Sequence, residues 1–353
     1  MKQQNESFIH WKGGDAVKGT VAAEFIFVGS GRVAVNLALG LRSAGHHILG
    51  ALVRSVESDN ARRFQQLIGP VTAIPGKSSS NTQLPNRALD WLRVADAVII
   101  TVSDTAINEI AQQLAAILPQ GCHARVFHTS GSQDSSVLSP LQALGLRCAS
   151  MHPLQTFAAT QERAQNLSGI AFSIEGEDQA VTLATQWATQ MGGSVIKVPA
   201  AQRPAYHAAA VLASNAVLAL LQVATQLLPD AAKELPNNPL LPLFQAALDN
   251  VRRLGLPQSL TGPVERGDWN TVAVHLQALK SDVTAYDVYL SLAVATVELA
   301  VVKGSLSQPQ AVQKRQQLQQ LLHPCGSIQT VPSGGGNFAF SNDTDFPEKK
   351  GTK

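Results

Sequence analysis

Polar side chains with catalytic potential occur in four stretches of an otherwise apolar sequence. A histidine can exchange a proton near neutral pH, and asparagine, serine and threonine can orient a small substrate. The four stretches are His128–Gly131, His152, Tyr206–Asn215 and Leu260–Asp268. We expect the catalytic residues to be His207, His152 and Asn215, with His207 as the first candidate for a proton donor. The candidates for substrate binding are Ser130, Ser214 and Thr261.

A long apolar helix is predicted from Tyr206 to Leu228, and three of these polar side chains lie on it. At 100° per residue, Ser214 is about 20° from His207 and Asn215 about 80° from it, so the three share one broad face. They are roughly 10–12 Å from His207 along the axis, so they can line one wall without bonding to it. The alternative is structural: a histidine or an asparagine in these positions often just satisfies a neighbouring backbone group.

A glycine-rich turn stands between a predicted strand, Phe25–Val28, and a predicted helix. Gly29, Gly31 and Ala34 fit the pattern G-x-G-x-x-A. The first glycine permits the tight turn, the second lets a pyrophosphate approach the backbone, and the small third residue lets the helix pack on the strand. The phosphates would lie at the helix N-terminus, where N–H groups lack partners. The alternative is a glycine turn without a ligand. The predicted cofactor contacts are Gly29, Ser30, Gly31, Arg32 and Val33.

The second predicted strand, His47–Val53, ends in Arg54 and Ser55. Enzymes that use the non-phosphorylated dinucleotide usually have an acidic residue near this position, where it binds the ribose 2′-hydroxyl. A carboxylate would repel a 2′-phosphate, whereas Arg54 can bind one through hydrogen bonds of roughly 1.5–3 kcal/mol each. Arg54 and Ser55 therefore indicate NADP(H), the alternative being that Arg54 is a solvated residue at a strand end.

Two further predicted strands, Ala97–Val102 and Arg125–Phe127, are also followed by polar residues. The carboxyl ends of parallel strands face the ligand cleft of an open α/β sheet. Ser103 also suits the N-cap of the helix that follows, which is its structural interpretation. The residues near these strand ends that we expect to contact the cofactor are Val102, Ser103, His128 and Ser130.

Strands and helices alternate over the first part of the chain, which predicts a doubly wound, mainly parallel Rossmann sheet in the α/β class. Near Pro199 the periodicity becomes helical only, which predicts an all-α second domain. The predicted divisions are a flexible leader (1–22), a dinucleotide-binding domain (23–199), an all-helical domain (200–324) and a disordered tail (325–353).

The composition indicates which classes of binding partner and which cellular compartment to expect. The formal net charge is +2 without a long basic run, which argues against nucleic acid. The 3 cysteines are scattered, so neither a metal site nor a disulfide framework follows, and a reducing cytoplasm is expected. The apolar run Ala208–Leu228 contains two glutamines, a serine and an asparagine, so we expect a buried helix and no membrane span.

Four motifs occur in the same order in one bacterial family, which this chain resembles over about residues 25–279. That family joins a Rossmann-like domain to a C-terminal domain of unknown function. It is similar to the 6-phosphogluconate-dehydrogenase-like reductases, such as pyrroline-5-carboxylate reductase and ketopantoate reductase. The resemblance implies a helical second domain that commonly forms homodimers, and ketopantoate as a candidate substrate. The motifs are His128–Gly131, Met151–Phe157, Tyr206–Val211 with Ser214 and Asn215, and Leu260–Pro263 with Arg266–Asp268.

One residue departs from the pattern of the wider superfamily. Many relatives have a catalytic lysine four residues before the helix asparagine, and this chain has Val211 there. His207, one turn earlier, is our hypothesis for the replacement. We therefore predict a cytoplasmic, homodimeric, NADPH-dependent reductase of a small carbonyl or imine substrate, such as a 2-oxo acid. The alternatives are a non-catalytic NADP(H)-binding sensor and a deazaflavin-linked NADP oxidoreductase.

Overall fold

The computed structural model describes residues 22–74, 84–158 and 167–322. The chain divides into two compact units, Met1–Val217 and Leu218–Lys353, and each is described by itself. All of the predicted tail and all but the last residue of the predicted leader lie outside the described residues. The predicted domain boundary after residue 199 stays a prediction.

The first unit contains a sheet of eight strands. They are β1 (Glu24–Val28), β2 (His47–Val53), β3 (Val71–Ala73), β4 (Ala97–Ile100), β5 (Arg125–His128), β6 (Cys148–Pro153), β7 (Ala171–Gly176) and β8 (Ser194–Lys197). Their order across the sheet is β3-β2-β1-β4-β5-β6-β7-β8. Every neighbouring pair is parallel except β6 and β7. The prediction of a doubly wound, mainly parallel sheet is confirmed.

Helices cover both faces of this sheet, which is why its central strands are apolar throughout rather than alternating. Because successive side chains point to opposite faces, Phe25 and Phe27 join one apolar layer and Ile26 and Val28 the other. Trp187 packs edge-on against Phe25, with ring centroids 4.7 Å apart. The helices that connect the strands are α1 (Arg32–Ser43), α2 (Asp59–Leu67), α3 (Asn86–Val94), α4 (Ile107–Ile117), α5 (Ser139–Gln142) and α6 (Asp178–Gln190).

The register of the sheet brings the carboxyl ends of four strands to one edge. Val28 of β1 is paired with Ile100 of β4, and Ile100 is paired with His128 of β5. His128 is in turn paired with Ser150 of β6. The strand β6 continues to Pro153, two residues beyond the predicted end, because antiparallel pairing with β7 extends it. The residues after these strands therefore lie along a common edge.

The predicted helix Tyr206–Leu228 is two helices, α7 (Arg203–Ala213) and α8 (Asn215–Gln226), which break at Ser214. The Ser214 hydroxyl donates to the Ala210 carbonyl at 2.7 Å, a bond that commonly bends helices. Of α7 only Arg203 is buried, and of α8 no residue is. The expectation of one buried helix is therefore wrong for these residues.

The described part of the second unit is helical and contains no strand, which confirms an all-α region. Its core lies along α12, where Leu290, Val297 and Ala300 are buried with residues of α11 and α13. After α8 the helices are α9 (Asp230–Lys233), α10 (Leu241–Leu254), α11 (Trp269–Leu279), α12 (Val283–Lys303) and α13 (Gln308–Leu322).

Two helical stretches of the described chain are long and apolar enough to cross a membrane by length and composition alone. They are Ala200–Gln226, whose most apolar window is 0% buried, and Val283–Lys303, whose window is 28% buried. The core helices of soluble proteins meet the same criteria, so these lengths are weak evidence for a span. The absence of a membrane span stays a prediction.

Candidate functional site

The turn after β1 has the geometry that the glycine motif predicts. Gly29 has φ +100°, which favours glycine, and a Cβ there would lie 3.1 Å from the backbone oxygen of Thr101. The Thr101 hydroxyl donates to the carbonyls of Val28 (3.1 Å) and Gly29 (3.2 Å). The carboxyl ends of β1 and β4 are thereby fastened together at the point where the strand order reverses. Ligands bind at such points in open α/β sheets.

Gly31 leaves the N-terminus of α1 open to an anion. It is the N-cap residue, and no side chain caps the helix. A Cβ built on Gly31 would meet nothing within 4 Å, so the backbone faces free space. Uncapped N–H groups and a positive dipole end are what a diphosphate requires. The residues present therefore fit a dinucleotide.

The neighbours of Gly31 in the predicted cofactor site differ in how far their side chains are already engaged in contacts within the protein. Ser30 is buried, and Val33 packs against the apolar layer under the helix. Arg32 donates from Nη1 to the carbonyl of Phe157 at 3.0 Å. The Arg32 guanidinium therefore ties the glycine turn to the segment after β6, in addition to any contact with a phosphate.

Arg54 and Ser55 follow β2, the strand next to β1. Arg54 is exposed and makes no hydrogen bond or ion pair to any residue that the structure describes. Ser55 belongs to a turn, because its hydroxyl accepts from the N–H of Glu57 (3.3 Å) and its carbonyl accepts from the Ser58 hydroxyl (3.1 Å). Ser58 in turn caps α2. Arg54 is thus the residue of this segment that is free to bind a ligand.

The loops after β4 and β5 are joined by Asp104. Its carboxylate accepts from the Ser132 hydroxyl at 2.6 Å, and its carbonyl accepts from the Gln133 side chain at 3.1 Å. Ser103 is the N-cap residue of a 3₁₀ turn but makes no capping bond through its side chain, and Val102 is half-buried beside it. The part of Asp104 in joining these two loops was not predicted from the sequence.

The ring of His128 is held inside the β5 turn, and its predicted contact with the cofactor stays a prediction. The side chain is fully buried, Nε2 donates to the Asp134 carbonyl at 3.0 Å, and Nδ1 accepts from the Ser130 N–H at 3.2 Å. Burial lowers the pKa of His128 to about 4, so the ring is neutral at pH 7. Both ring nitrogens are occupied, and neither is left for a ligand.

Ser130 is similarly used within its own loop. Its hydroxyl accepts from the N–H groups of Ser132 (3.2 Å) and Gln133 (3.1 Å), and its side chain is buried. This arrangement fixes a tight turn in the manner typical of serine. The side chain therefore shapes the loop at this edge of the sheet, and its contacts with cofactor and substrate stay predictions.

Gly131 lies under two histidines that the sequence placed on separate elements. A Cβ on Gly131 would be 2.8 Å from Nδ1 of His207 and 2.9 Å from Nε2 of His152. The two rings are 6.3 Å apart between centroids and meet edge to face. The first and second candidates for the proton donor, one on α7 and one on β6, are thus brought together within the first unit.

The two imidazoles differ in their surroundings. Nδ1 of His152 is 2.9 Å from the Tyr206 hydroxyl, and the two rings meet edge-on at 5.7 Å. Nδ1 of His207 is buried without a hydrogen-bond partner among the described residues. Burial lowers the pKa of His152 to about 4, and the nearby His207 and Arg203 add to this effect. His152 is therefore neutral at pH 7.

A buried arginine that sequence reasoning missed supports this pair. Arg203 is 1% exposed, and it donates to the Ser150 hydroxyl at 2.6 Å and to the carbonyls of Ser130 and Gly131 at 3.4 Å. Its Nε lies 3.7 Å from the carboxylate of Glu175. The guanidinium therefore connects the β5 loop with β6, β7 and the first turn of α7. The sequence around Arg203, an arginine followed by a proline, gives no indication that this side chain is buried.

Ser214 and Asn215 lie at the break between α7 and α8. The Ser214 hydroxyl, which donates to Ala210, also lies 3.2 Å from Oδ1 of Asn215, and Asn215 is exposed. The angles expected from one continuous helix do not apply across this break. Catalysis by Asn215 and substrate binding by Ser214 stay predictions.

Thr261 belongs to the second unit, where it lines a cavity of about 350 Å³. The walls are mostly apolar and come from α8, α11, α12 and the loop before α11. That loop is held by Lys303, which donates to the Leu260 carbonyl and to Glu265, each at 2.8 Å. Asp268 is the N-cap residue of α11, and its side chain accepts from the Thr271 N–H at 3.1 Å.

No group of three or more histidine, cysteine, aspartate or glutamate side chains that could hold a metal ion occurs among the described residues.

Residues 170–296 match the model of DUF2520, a domain of unknown function. The chain carries a C-terminal DUF2520 domain. The resemblance to a family with a Rossmann-like domain and such a C-terminal region is confirmed.

Solved structures share the fold. A protein from Bacteroides fragilis, provisionally named an NADP oxidoreductase, is 23% identical and matches with a TM-score of 0.59 over 77% of this chain and 96% of its own. Protein TM1727 from Thermotoga maritima is 25% identical, with a TM-score of 0.57 over 79% of this chain and 99% of its own. A pyrroline-5-carboxylate reductase from Coxiella burnetii is 16% identical over 84% and 99%, and its TM-score of 0.46 is too low to bear on function. No curated protein matches the sequence.

Proposed function

We propose that this protein is an NADPH-dependent reductase of a small carbonyl or imine substrate, with 2-oxo acids such as ketopantoate as the first candidates. The observation that carries the proposal is the open N-terminus of α1 at Gly31, which offers uncapped N–H groups to a diphosphate. The name of the similar Bacteroides fragilis protein, an NADP oxidoreductase, supports the same class of cofactor.

Arg54 supports the choice of the phosphorylated dinucleotide. It follows β2, is exposed, and has no partner among the described residues. A guanidinium can bind a 2′-phosphate through two charge-assisted hydrogen bonds. Ser55 adds a hydroxyl next to it, although this hydroxyl already accepts one bond within its turn.

The paired histidines supply the proton chemistry that a reductase needs. The bound dihydronicotinamide would supply the hydride. His152 and His207 converge on Gly131 at the same edge of the sheet as the glycine turn, where either ring can give a proton to the reduced oxygen or nitrogen. Asn215, Ser214 and Thr261 are kept as candidates for orienting the substrate. Dimer formation and a cytoplasmic location stay predictions.

Calorimetry with the full chain tests the cofactor. NADPH should bind at least about ten times more tightly than NADH, since each lost charge-assisted bond costs roughly 1.5–3 kcal/mol. Arg54→Ala should remove this preference, whereas Arg62→Ala, which removes an exposed cation from α2, should keep it. Absence of heat with both nucleotides would refute the proposal, and a persisting preference in Arg54→Ala would refute the role of Arg54 alone.

Turnover is tested by following nicotinamide absorbance with NADPH and a panel of 2-oxo acids, cyclic imines and an oxidised deazaflavin. Loss of one catalytic proton donor should lower kcat by roughly 100-fold or more, so His207→Ala and His152→Gln are compared. A His207→Ala protein with wild-type kcat would exclude His207 as the acid. Tight NADPH binding without oxidation across the whole panel would favour the sensor over the enzyme.

A further inference from the structure

The Tyr206 hydroxyl stands behind His152 on the side away from Gly131. It is 2.9 Å from Nδ1 of His152, while Nε2 of the same ring faces Gly131. None of the described residues makes a hydrogen bond to Nε2. The His152 imidazole therefore contacts a phenol through Nδ1, and its Nε2 is free to contact a substrate.

The direction of the Tyr206–His152 hydrogen bond decides which nitrogen of the ring carries the proton. A neutral imidazole has a single N–H, and His152 is neutral at pH 7 because burial lowers its pKa to about 4. If the phenol donates to Nδ1, the proton of the ring is on Nε2 and points toward Gly131. The tautomer is set by the partner of the other nitrogen.

The surroundings of Tyr206 favour the phenol as donor. Arg203, three residues earlier on α7, places a buried cation near the phenol oxygen, and the Ser173 hydroxyl on β7 is a second neighbour. Desolvation still raises the pKa of Tyr206 overall, so the phenol keeps its proton at rest. A negative charge that develops on the oxygen is opposed by burial and stabilised by Arg203.

We propose that Tyr206 is the proton reserve of the site and that His152, through Nε2–H, is the group that protonates the substrate oxygen. The inference rests on the proposed reductase function. A bound dihydronicotinamide would supply the hydride to the carbonyl carbon, and the Nε2 proton would be transferred to the oxygen as its negative charge develops. The Tyr206 proton moves to Nδ1, so the ring stays neutral and the phenolate is reprotonated from water.

The charged and titratable groups around His152 are consistent with a neutral relay rather than an imidazolium acid. His207 and Arg203 face it from α7, and His128 from β5, and all three disfavour a positive charge on the ring. Asp104, from the loop after β4, acts in the opposite direction and is a smaller effect than His207 and Arg203. A cationic His152 would therefore be costly, whereas a proton passed through a neutral ring is not.

The tautomer is measured on the full chain without any ligand. In protein labelled with ¹⁵N-histidine, the signals of His152 are assigned with the His152→Gln variant. We expect protonated Nε2 and unprotonated Nδ1 at pH 7, and a shift of the Nδ1 signal in Tyr206→Phe. The signals of His275, whose Nδ1 is 2.8 Å from the Tyr289 hydroxyl, are the internal reference and should not change. A proton on Nδ1 of His152 would overturn the inference.

Turnover gives the second readout. With a reducible substrate, Tyr206→Phe should lower kcat by roughly 100-fold with little change in KM, since the phenol acts only in the proton transfer. His275→Gln, which breaks the other tyrosine–histidine pair, should leave kcat unchanged. Unchanged kcat in Tyr206→Phe would overturn the relay. A wild-type protein that reduces nothing would refute the proposed function instead, and the NMR result separates the two failures.

Discussion

A methyl group on Gly131 would collide with both imidazoles, so Gly131→Ala is the most direct test of the site geometry. The added carbon would be 2.8 Å from Nδ1 of His207 and 2.9 Å from Cε1 and Nε2 of His152, where ordinary contacts begin at 3.4 Å. Gly131 does not have a positive φ, so the strain comes from these contacts and not from the backbone. Each ring must retreat by about 0.5 Å or the β5 loop must move, and overpacking of this kind costs about 1–3 kcal/mol.

Urea unfolding measures that cost as a lower free energy of unfolding in Gly131→Ala. Gly69→Ala is the matched control, because Gly69 also lacks a positive φ and a Cβ there meets nothing within 4 Å. The control should be unchanged or gain up to about 1 kcal/mol from reduced freedom of the unfolded chain. In the folded Gly131→Ala protein the NMR signals of His152 should shift. Equal urea midpoints for Gly131→Ala and wild type would refute the close packing of both rings on this glycine.

Three further predictions concern stability. The pKa values of His128 and His152 are lowered to about 4, below the unfolded value of about 6.5, so the unfolded chain binds more protons between these limits. Their contribution is fully present above pH 6.5 and is lost as the pH falls toward 4, which urea midpoints at pH 7 and pH 4.5 will show. Arg203→Met removes a buried cation and leaves the Ser150 hydroxyl and the half-buried Glu175 carboxylate without this partner, so it should cost about 1–3 kcal/mol. Arg147→Met removes an exposed cation and should cost about 1 kcal/mol or less. Asp268→Ala removes the cap of α11 and should cost about 0.5–2 kcal/mol by thermal or urea unfolding.

Much of the fold could be predicted from local sequence patterns. The strand His47–Val53 was predicted with its observed bounds, and the glycine turn after β1 has the expected positive φ at Gly29. Both depend on near neighbours in the chain, which is the range over which periodicity and turn chemistry act. The break at Ser214 was not predicted, because apolar periodicity continues through it and the cause is one hydroxyl that bonds back to Ala210.

The candidate site could be predicted only in part. His152 and His207 were recognised as candidates, but their meeting over Gly131 depends on the pairing of β5, β6 and β7 and on the docking of α7. Arg203 was missed for the same reason, since its partners Ser150 and Glu175 come from two different strands. Contacts between residues distant in the chain leave no local periodic signal.

The match to the domain of unknown function starts at residue 170, between β6 and β7, so its boundary separates the last two strands from the other six of one sheet. A fragment cut at that residue would keep β7 and β8 but lose the strand that pairs with β7, leaving a row of open backbone donors and acceptors beside Phe172 and Ile174. We expect such a fragment to aggregate through the newly exposed edge of β7. The region defined by sequence similarity is therefore smaller than the smallest piece that can be expected to fold by itself.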